Sequence, residues 1–408
     1  MHIMFMTQCY APEDVSFAVL ITELATDLVK RGHQVTVVTC APNYPFGRVY
    51  SGYRNRLYQV ECLDGVRVVR TWSYISPHKT FWRRIFSYGS YSATTLYGSL
   101  LAGKPEVIVS FSPPLPLGLS AWPLSRLWHV PWVLTLMDLY PEAAVAAGVL
   151  RNQAAIAFFS SMERFLYQQA THISLISEGF RQNLFGKGVP SQKISVIPVW
   201  ADPDIVQPLP KKNAFRDQHG LNGQFVVMYA GTLGYTSALK EVLEAAEILW
   251  DEPDVRFVIV GEGVKKAALE ELTRNKGLGN ILFLPFQPRQ VFAEMLAAAD
   301  VSLVTLNQSS SLTSLPSKIF NIMASARPVL AVTPSESEIA QLIKKAECGV
   351  IVPPEHPELL AEMILELKQQ DKRLTKMGQN GRAQLETKFS RARCVEMCEQ
   401  MLLSLCRK

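Results

Sequence analysis

The chain has 408 residues, 48% of them hydrophobic and 19% charged, a composition typical of a well-packed globular protein with two domains of ~150–220 residues. Its net charge of +5 favours anionic partners such as nucleotide phosphates or acidic lipid, and it is too small to indicate nucleic acid. The seven cysteines are odd in number and form no Cys-x-x-Cys, which indicates a reducing cytoplasm rather than a disulfide framework or a metal site.

The first forty residues predict a strand–loop–helix–strand unit. An apolar strand at 3–6 precedes a proline-containing loop, and apolar residues then recur at helical spacing from Leu20 to Val29. Gly32 is placed to end that helix, and the β-branched run 35–38 predicts the next strand. Such units wind parallel sheets. Because the first Lys or Arg is Lys30, no basic region precedes the first strand, which argues against a secretory signal.

A segment rich in cations and aromatic residues, 78–86, overlaps a charge-free run from Ile85 to Gly103. The run contains too many Ser, Thr, Gly and Tyr residues for a membrane-spanning helix. Basic residues beside Phe81 and Trp82 predict either an interfacial segment that touches anionic lipid or an ordinary buried helix with basic residues at its edge.

Two carboxylates, Asp138 and Glu142, follow the apolar strand predicted at 134–136. An acid at the carboxyl end of a strand is a candidate for contact with sugar hydroxyls or an acceptor. The alternative is structural: Asp138 would cap a helix and Glu142 would offset its dipole. Glu163 and Arg164 lie in a further apolar helix, and we expect them to form a solvated charged edge.

The proline-rich stretch 198–212 is typical of a linker, and a second strand–loop–helix–strand unit follows it. This unit consists of a strand at 225–229, a glycine turn at 231–234, a helical stripe at 239–249 and a strand at 255–260. The sequence therefore predicts an α/β protein with two domains, 1–205 and 222–390. Since ligands bind beyond the carboxyl ends of parallel strands, we expect the site in a cleft that the domains face.

The glycine turn at 231–234 lets the backbone approach a pyrophosphate closely, although glycine also closes many ordinary turns. Gly261 and Phe286 each follow a predicted strand and would lie at the same sheet edge, where a base or ribose could bind. No G-x-G-x-x-G, P-loop, G-x-S-x-G or H-E-x-x-H motif occurs, which disfavours dinucleotide oxidoreductases, P-loop enzymes and the common hydrolases.

The segment 309–332 predicts a polar loop, a helix that begins near Pro316 and ends before Pro328, and a strand. Ser317 is placed to cap the helix, Lys318 adds a positive charge beside the helix start, and Asn321 lies one turn on. This arrangement predicts an anion site with a ribose contact. The alternative is a capped helix with a solvated lysine.

Six motifs together resemble glycosyltransferase family 4, and within it the bacterial exopolysaccharide and O-antigen branch that includes the colanic-acid fucosyltransferase type. They are Tyr-Ala-Pro-Glu at 10–13, Lys-Arg-Gly-His-Gln-Val at 30–35, Ala-Pro-Asn-Tyr-Pro at 41–45, Asp-Leu-Tyr-Pro-Glu at 138–142, Gly-Thr-Leu-Gly at 231–234 and Leu-Pro-Ser-Lys at 315–318. The resemblance extends over nearly the whole chain.

The resemblance implies a GT-B fold, in which two Rossmann-like parallel-sheet domains face a cleft and the last helix, 391–408, packs back onto the first domain. It also implies a retaining transfer without a required metal, with Asp138 and Lys318 as the catalytic residues. Lys318 would offset the negative charge that develops on the leaving diphosphate. The donor-binding residues implied are Gly231, Thr232, Leu233, Gly234, Gly261, Phe286, Leu315, Pro316, Ser317, Lys318 and Asn321. On the acceptor side the implied residues are Glu13, Asp14, Ser16 and Glu142.

The chain departs from the family pattern at two places. The wider family usually has two glutamates, eight positions apart, around the segment 313–321, and both are missing here, although the fucosyltransferase type also has Asn at the second position. The loop Asp14–Ser16 lacks the glycine that is common there.

The resemblance thus implies a cytoplasmic hexosyl- or deoxyhexosyltransferase, at most peripheral on the inner face of the cytoplasmic membrane. It would use a UDP- or GDP-linked sugar and a polyprenyl-diphosphate-linked saccharide acceptor. A non-hydrolysing sugar-nucleotide epimerase is an alternative, in which Asp138 and Glu142 would act on the sugar. A catalytically silent nucleotide-sugar-binding subunit is the other alternative, because the glutamate pair is missing.

Overall fold

A computed structural model describes residues 1–78, 81–234, 237–308 and 315–406, without the side chains of Phe81 and Trp82. The chain divides into two compact units: unit one contains Met1–Pro198 and Cys394–Lys408, and unit two contains Val199–Arg393. Each unit is a Rossmann-like α/β unit, which confirms the predicted fold class. Part of the predicted interfacial segment (Lys79, Thr80 and the Trp82 side chain) and Thr313 of the segment that lacks the glutamates lie outside the described residues.

The described part of unit one has an eight-stranded sheet in the order β3-β4-β2-β1-β5-β6-β7-β8. Its strands are β1 (His2–Met6), β2 (Gln34–Cys40), β3 (Tyr58–Leu63), β4 (Val66–Thr71), β5 (Val107–Ser112), β6 (Trp132–Leu136), β7 (His172–Leu175) and β8 (Ile194–Val196). All neighbouring strands are parallel except β3 and β4. The central strands β1 and β5 are buried along nearly their whole length and are mostly apolar, because helices cover both faces of a parallel sheet.

Helices lie between most of the strands of unit one, and short 3₁₀ turns occur at Leu115–Leu117 and Ser191–Lys193. The helices are α1 (Ser16–Lys30), α2 (Phe81–Ala102), α3 (Gly118–Trp128), α4 (Glu142–Ala146), α5 (Gln153–Gln169) and α6 (Glu178–Gly186). The apolar stripe predicted from Leu20 onwards is the buried face of α1. Gly32 has a φ of 88°, which lets the chain leave α1 towards β2.

The described part of unit two has a six-stranded, fully parallel sheet in the order β11-β10-β9-β12-β13-β14. Its strands are β9 (Phe225–Ala230), β10 (Val255–Val260), β11 (Ile281–Leu284), β12 (Val301–Thr305), β13 (Val329–Val332) and β14 (Gly349–Val352). Buried side chains of β9, β10 and α8 (Leu239–Ile248) form much of its core, as the apolar runs predict. This order places the loops after β9, β10 and β11 side by side at one sheet edge.

The other helices of unit two surround this sheet, and a π-helical turn at Leu385–Phe389 precedes the last helix of the chain. They are α7 (Ala214–Gln218), α9 (Lys266–Asn275), α10 (Arg289–Ala297), α11 (Lys318–Ala324), α12 (Glu338–Ala346), α13 (Pro357–Lys368) and α14 (Asp371–Gln384). The last helix, α15 (Arg391–Cys406), lies mostly in unit one. There Glu399 on α15 accepts hydrogen bonds from Arg31 and His33, both at 2.7 Å.

The proline-rich stretch after Pro198 is part of unit two and is held there by side-chain contacts. Arg382 donates hydrogen bonds to the carbonyl oxygens of Pro203 at 3.0 Å and Val206 at 2.8 Å, and Lys211 forms a 2.5 Å ion pair with Asp300. Because these contacts fix the stretch, unit two begins at Val199, whereas the sequence suggested 205 as the end of the first domain.

Candidate functional site

Two glycine turns meet at the carboxyl ends of β9 and β10 in unit two. Gly231, Gly261 and Gly263 have φ angles of 152°, 153° and 159°. A Cβ atom at Gly261 would lie 1.9 Å from the Gly231 carbonyl oxygen, and one at Gly263 would lie 2.3 Å from that of Leu233. The Leu233 N–H also donates to the Glu262 carbonyl at 2.9 Å. The two turns therefore form a ledge of contacting backbones that only glycine permits.

Lys318 lies directly beside this ledge. A Cβ atom at Gly231 would come within 2.6 Å of Lys318 Nζ, so the missing side chain leaves room for the ammonium group. Lys318 Nζ is 3.6 Å from the centroid of the Tyr229 ring, a cation–π contact, and the Tyr229 hydroxyl donates to the Thr232 carbonyl at 2.9 Å. No ion pair between described residues includes Lys318. Its positive charge is therefore available to an anion.

Lys318 and Asn321 line one pocket, as the spacing of one helical turn predicts. The pocket is otherwise formed by β9, α10, β12 and α11, through Met228, Ala230, Phe292, Leu296, Ser302 and Ile322. The Ser302 hydroxyl is buried and has no hydrogen-bond partner within the part of the chain that the structure describes. A polar group of this kind favours a pocket that takes a polar ligand.

The predicted cap of the helix that carries Lys318 is wrong. Ser317 has φ −59° and ψ −20°, close to helical values, and its side chain makes no capping hydrogen bond, whereas a capping serine has an extended backbone. The helix α11 has only seven residues, so its dipole is small. The anion site at this edge therefore depends on the charge of Lys318.

The other predicted donor residues have different surroundings. Leu233 is fully buried and belongs to the core, whereas Thr232 is exposed. Phe286, after β11, is 49% exposed, and its loop neighbours the Gly261 turn, whose N–H donates to the Leu284 carbonyl at 2.9 Å. Gly234, Leu315 and Pro316 are half-buried. The base contact predicted for the Phe286 region stays a prediction.

Asp138 follows β6 in unit one, as predicted, and it does not cap α4, whose N-terminal flanking residue is Pro141. Burial raises the pKa of Asp138 to about 7. Burial raises the pKa of Tyr88, and it raises the pKa of Tyr140 to about 12. The positive charge of Arg84 lowers both pKa values, and the negative charge of Asp138 raises both. Arg84, Tyr88 and Tyr140 line one pocket, and Asp138 is two residues before Tyr140. These four residues therefore form one cluster.

Sequence reasoning missed this cluster as a site. The signal was the spacing of Arg84 and Tyr88, which lie four residues apart and hence on one face of α2. Arg84, Tyr88 and Tyr140 stand at a pocket of unit one. The remainder of the pocket is apolar and is formed by Ile85, Pro113, Pro114, Leu115, Pro116, Ala144, Val149, Leu150 and Phe159. The pocket therefore joins a cation and two phenols to an apolar wall.

Glu13, predicted on the acceptor side, is 3% exposed and binds the backbone of its own unit. Its carboxylate accepts hydrogen bonds from the backbone N–H groups of Tyr10 at 3.1 Å and of Asn43 and Tyr44 at 2.7 Å. Burial raises the pKa of Glu13, and these three bonds lower it. Glu13 therefore fixes the loops after β1 and β2. Asp14 and Ser16, on the same loop and at the start of α1, are exposed.

Glu142, the other predicted acceptor-side carboxylate, shares the Lys187 ammonium with Glu163. The Lys187–Glu163 pair is 2.6 Å long, and the Tyr167 hydroxyl donates to Glu163 at 2.7 Å. The expected solvated edge is therefore wrong for Glu163, which is 2% exposed, while Arg164 is exposed. Lys187 is distant in sequence from both acids, which is why the local pattern did not reveal the pairing.

A search of the described residues for metal ligands finds no group of three or more His, Cys, Asp or Glu side chains. Cys394 and Cys398 are buried on α15, and burial raises the pKa of Cys398 to about 12. None of the helices, as far as they are described, is long and apolar enough to cross a membrane.

Comparison with known proteins gives the class first. The chain resembles HepE of Anabaena, solved in complex with UDP-glucose, at a TM-score of 0.74 and 16% sequence identity, over 99% of this chain and 100% of that one. The match shows that the two Rossmann-like units have the GT-B fold.

The family follows from domain matches and relatives. Residues 18–200 match a glycosyl transferase 4-like domain, and residues 211–384 match the glycosyl transferases group 1 domain. WbjE of Pseudomonas aeruginosa, named a glycosyltransferase, is 30% identical over 74% of this chain and 76% of its own length. WcaI of Escherichia coli strain K12, whose name assigns it to colanic acid biosynthesis, is 27% identical over 87% of this chain and 89% of its own. The chain belongs to glycosyltransferase family 4, which confirms the resemblance and sets the epimerase alternative aside.

Proposed function

We propose that the chain is a retaining glycosyltransferase that transfers a hexosyl or deoxyhexosyl group from a UDP- or GDP-sugar to a lipid-linked saccharide, in exopolysaccharide or O-antigen synthesis. The observation that carries the proposal is the Lys318 ammonium group, which lies 3.6 Å above the Tyr229 ring and beside the Gly231 turn. Such a cation suits the diphosphate of a nucleotide sugar.

Lys318 would also stabilise the leaving group. Negative charge develops on the nucleoside diphosphate as the sugar departs, and a fixed cation lowers the energy of that state. Because Lys318 supplies this charge, the proposed reaction requires no metal ion. Two features support the UDP or GDP assignment and the retaining outcome: HepE was solved with UDP-glucose, and the motifs resemble those of a retaining family.

Asp138 is proposed to contact the transferred sugar or the acceptor. With a pKa raised to about 7 by burial, it is present in both protonated and ionised forms at neutral pH. The two forms allow it to donate a hydrogen bond to a sugar oxygen or to accept one from a hydroxyl.

A peripheral position on the inner face of the cytoplasmic membrane is part of the same proposal. The outward face of α2 presents Phe86, Tyr97, Leu100 and Leu101, each 45–65% exposed, and no charged residue occurs from Ile85 to Ala102. Arg83 is exposed near the start of the helix. Exposed apolar residues beside a cation are typical of a surface that contacts anionic lipid.

A transfer assay tests the proposed function. The purified chain is given UDP- and GDP-sugars with lipid-linked saccharides extracted from polysaccharide-producing bacteria, and the product is examined by NMR for its anomeric configuration. We expect one donor to be consumed and its configuration retained. Inversion of configuration would contradict the retaining mechanism. Nucleotide binding without transfer to any acceptor would favour the silent-subunit alternative.

A further inference from the structure

We propose that the pocket of unit one is the binding site for the prenyl diphosphate of the acceptor. Arg84 and the hydroxyls of Tyr88 and Tyr140 bind the diphosphate, and the apolar wall binds the first isoprene units. This inference rests on the proposed function, because only a lipid-linked acceptor carries such a group.

Arg84 has the surroundings of a ligand-binding cation. It is half-buried, lines the pocket beside Tyr88 and is absent from the ion pairs between described residues. Arg70 of the same unit is different: it is 1% exposed and donates to Glu61 and to the carbonyls of Cys40 and Ala11. The guanidinium of Arg84 therefore keeps donors for a phosphate, which it can bind in bidentate geometry.

Two tyrosines extend this polar edge. Burial raises the pKa of Tyr88 and raises that of Tyr140 to about 12, so both stay protonated at neutral pH. A protonated phenol donates one hydrogen bond and suits a phosphate oxygen. Arg84, Tyr88 and Tyr140 line the same pocket, so the three groups are placed to bind one diphosphate together.

The wall behind these groups is apolar and unsuited to the hydrophilic part of a saccharide. Phe159 and Ile85 line it and are only half-buried, and Pro113, Pro114 and Leu150 continue it. Burial of an isoprene chain there removes apolar surface of both partners from water, at roughly 25 cal/mol per Å². A cation at one edge and an apolar wall behind it match a diphosphate that carries a hydrocarbon chain.

Asp138 connects this pocket to the reaction. It precedes Tyr140, which lines the pocket, by only two residues and so lies near the proposed diphosphate position. In a lipid-linked acceptor the first sugar is attached directly to the diphosphate. A diphosphate at Arg84 therefore brings an acceptor hydroxyl into the neighbourhood of Asp138, which is the reason to choose a prenyl diphosphate over a membrane phospholipid.

Calorimetric titration with three soluble probes tests the site: farnesyl diphosphate below its micelle concentration, inorganic pyrophosphate and dihexanoyl phosphatidic acid. The full chain carries Lys318→Ala so that the donor site does not take up diphosphate. We expect farnesyl diphosphate to bind about tenfold more tightly than either other probe, and Arg84→Ala to weaken it by about tenfold or more. Arg84→Gln, which keeps a donor but loses the charge, should behave similarly if Arg84→Ala does not fold.

Two neighbouring residues serve as matched controls. Phe159→Ala should lower the affinity for farnesyl diphosphate and leave the affinity for pyrophosphate unchanged. Phe158→Ala, at a side chain 60% exposed, should change neither affinity. Arg83→Ala should also have no effect in this vesicle-free measurement. Equal affinities for the three probes, or full affinity after replacement of Arg84, would overturn the site.

Failure of this site and failure of the proposed function give different results. Binding of UDP or GDP to the chain with Lys318 intact is measured alongside. Nucleotide binding without farnesyl diphosphate binding contradicts the assignment of the pocket and remains consistent with the proposed donor site. Farnesyl diphosphate binding without nucleotide binding overturns the donor assignment and leaves the pocket standing.

Discussion

Glu13 in unit one and Lys318 in unit two each carry a charge near the carboxyl end of a parallel sheet, but their surroundings are opposite. Glu13 is 3% exposed, and its carboxylate accepts three backbone N–H groups. Lys318 lies against the Tyr229 ring, and the described residues provide no carboxylate for it. Glu13 is therefore matched within the fold, whereas no described residue matches the positive charge of Lys318.

The difference separates structural charges from candidate ligand contacts. A matched charge orders the backbone around it, and its removal leaves buried donors or acceptors without partners. An unmatched charge can be neutralised by a ligand. By this criterion Glu142, paired with Lys187, belongs with Glu13, while Arg84 belongs with Lys318.

Gly261→Ala tests whether the glycine ledge beside Lys318 is fixed by its backbone contacts. The new methyl group would lie 1.9 Å from the Gly231 carbonyl oxygen at a φ of 153°, so we expect unit two to lose ~3 kcal/mol or more of unfolding free energy. Thermal and urea unfolding measure the loss. Gly277→Ala is the control: its φ is 66° and nothing lies within 4 Å of the added Cβ, so it should cost only ~1 kcal/mol. Similar losses of unfolding free energy in the two variants would show that the backbone contact between the Gly231 and Gly261 turns is not as close as described.

Glu13→Ala tests the matched charge. Three backbone N–H groups, one buried and two partly buried, lose their acceptor. We expect a loss of ~2–4 kcal/mol in the unfolding free energy of unit one with no change in nucleotide affinity. Urea unfolding and calorimetry give the two numbers. Asp14→Ala, next in sequence and exposed, should stay within ~0.5 kcal/mol. A stable Glu13→Ala variant that binds acceptor poorly would instead make Glu13 a direct acceptor contact.

Asp138→Asn should change the pH dependence of stability. The pKa of Asp138 is about 7 in the fold against an ordinary 3.8, so between pH 4 and 7 the folded state retains a proton that the unfolded state releases. The parent should therefore lose ~1–3 kcal/mol of unfolding free energy as pH rises through this window, and the variant should lack this loss. Chemical unfolding at intervals of half a pH unit measures it. Parallel curves for parent and variant would contradict the burial of Asp138.

Arg83→Ala is expected to have the smallest effect. An exposed cation near an anionic membrane contributes ~1 kcal/mol, so binding to phosphatidylglycerol-containing vesicles should weaken about fivefold while nucleotide affinity is unchanged. Vesicle sedimentation measures it, and Lys240→Ala, at a side chain 75% exposed in unit two, is the control. If both variants weaken binding equally, the attraction comes from net charge and not from α2. The predicted segment also includes Trp82, whose side chain lies outside the described residues.

Much of the fold could be predicted from the sequence because its signals are local. The bounds predicted for β10 at 255–260 agree with the structure, since the strand is a mostly apolar run between polar turns. The helix from Leu20 onwards has the predicted buried face. The start of unit two was not predicted, because Arg382 holds the stretch after Pro198 from nearly two hundred residues away.

The site was predictable only where one turn or one helix carries it. Gly231, Lys318 and Asn321 were selected from turn and helix patterns, and the structure brings them to the same edge. The Tyr229 ring below Lys318 and the cluster around Asp138 depend on contacts between separate segments, which no local pattern shows. Ser317 was assigned as a cap on residue type, whereas capping requires an extended backbone that Ser317 does not adopt.

The Lys318 ammonium group is proposed to bind a nucleoside diphosphate, and calorimetric titration with UDP, GDP and ADP measures this binding. The parent should bind one of the three nucleotides selectively. Lys318→Ala should weaken the binding free energy of that nucleotide by ~1.5–3 kcal/mol, the value of a charge-assisted hydrogen bond. Lys276→Ala, which removes a lysine paired with Glu247 in the same unit, should bind like the parent. Unchanged affinity in Lys318→Ala, or no binding of any nucleotide to the parent, would contradict the claim.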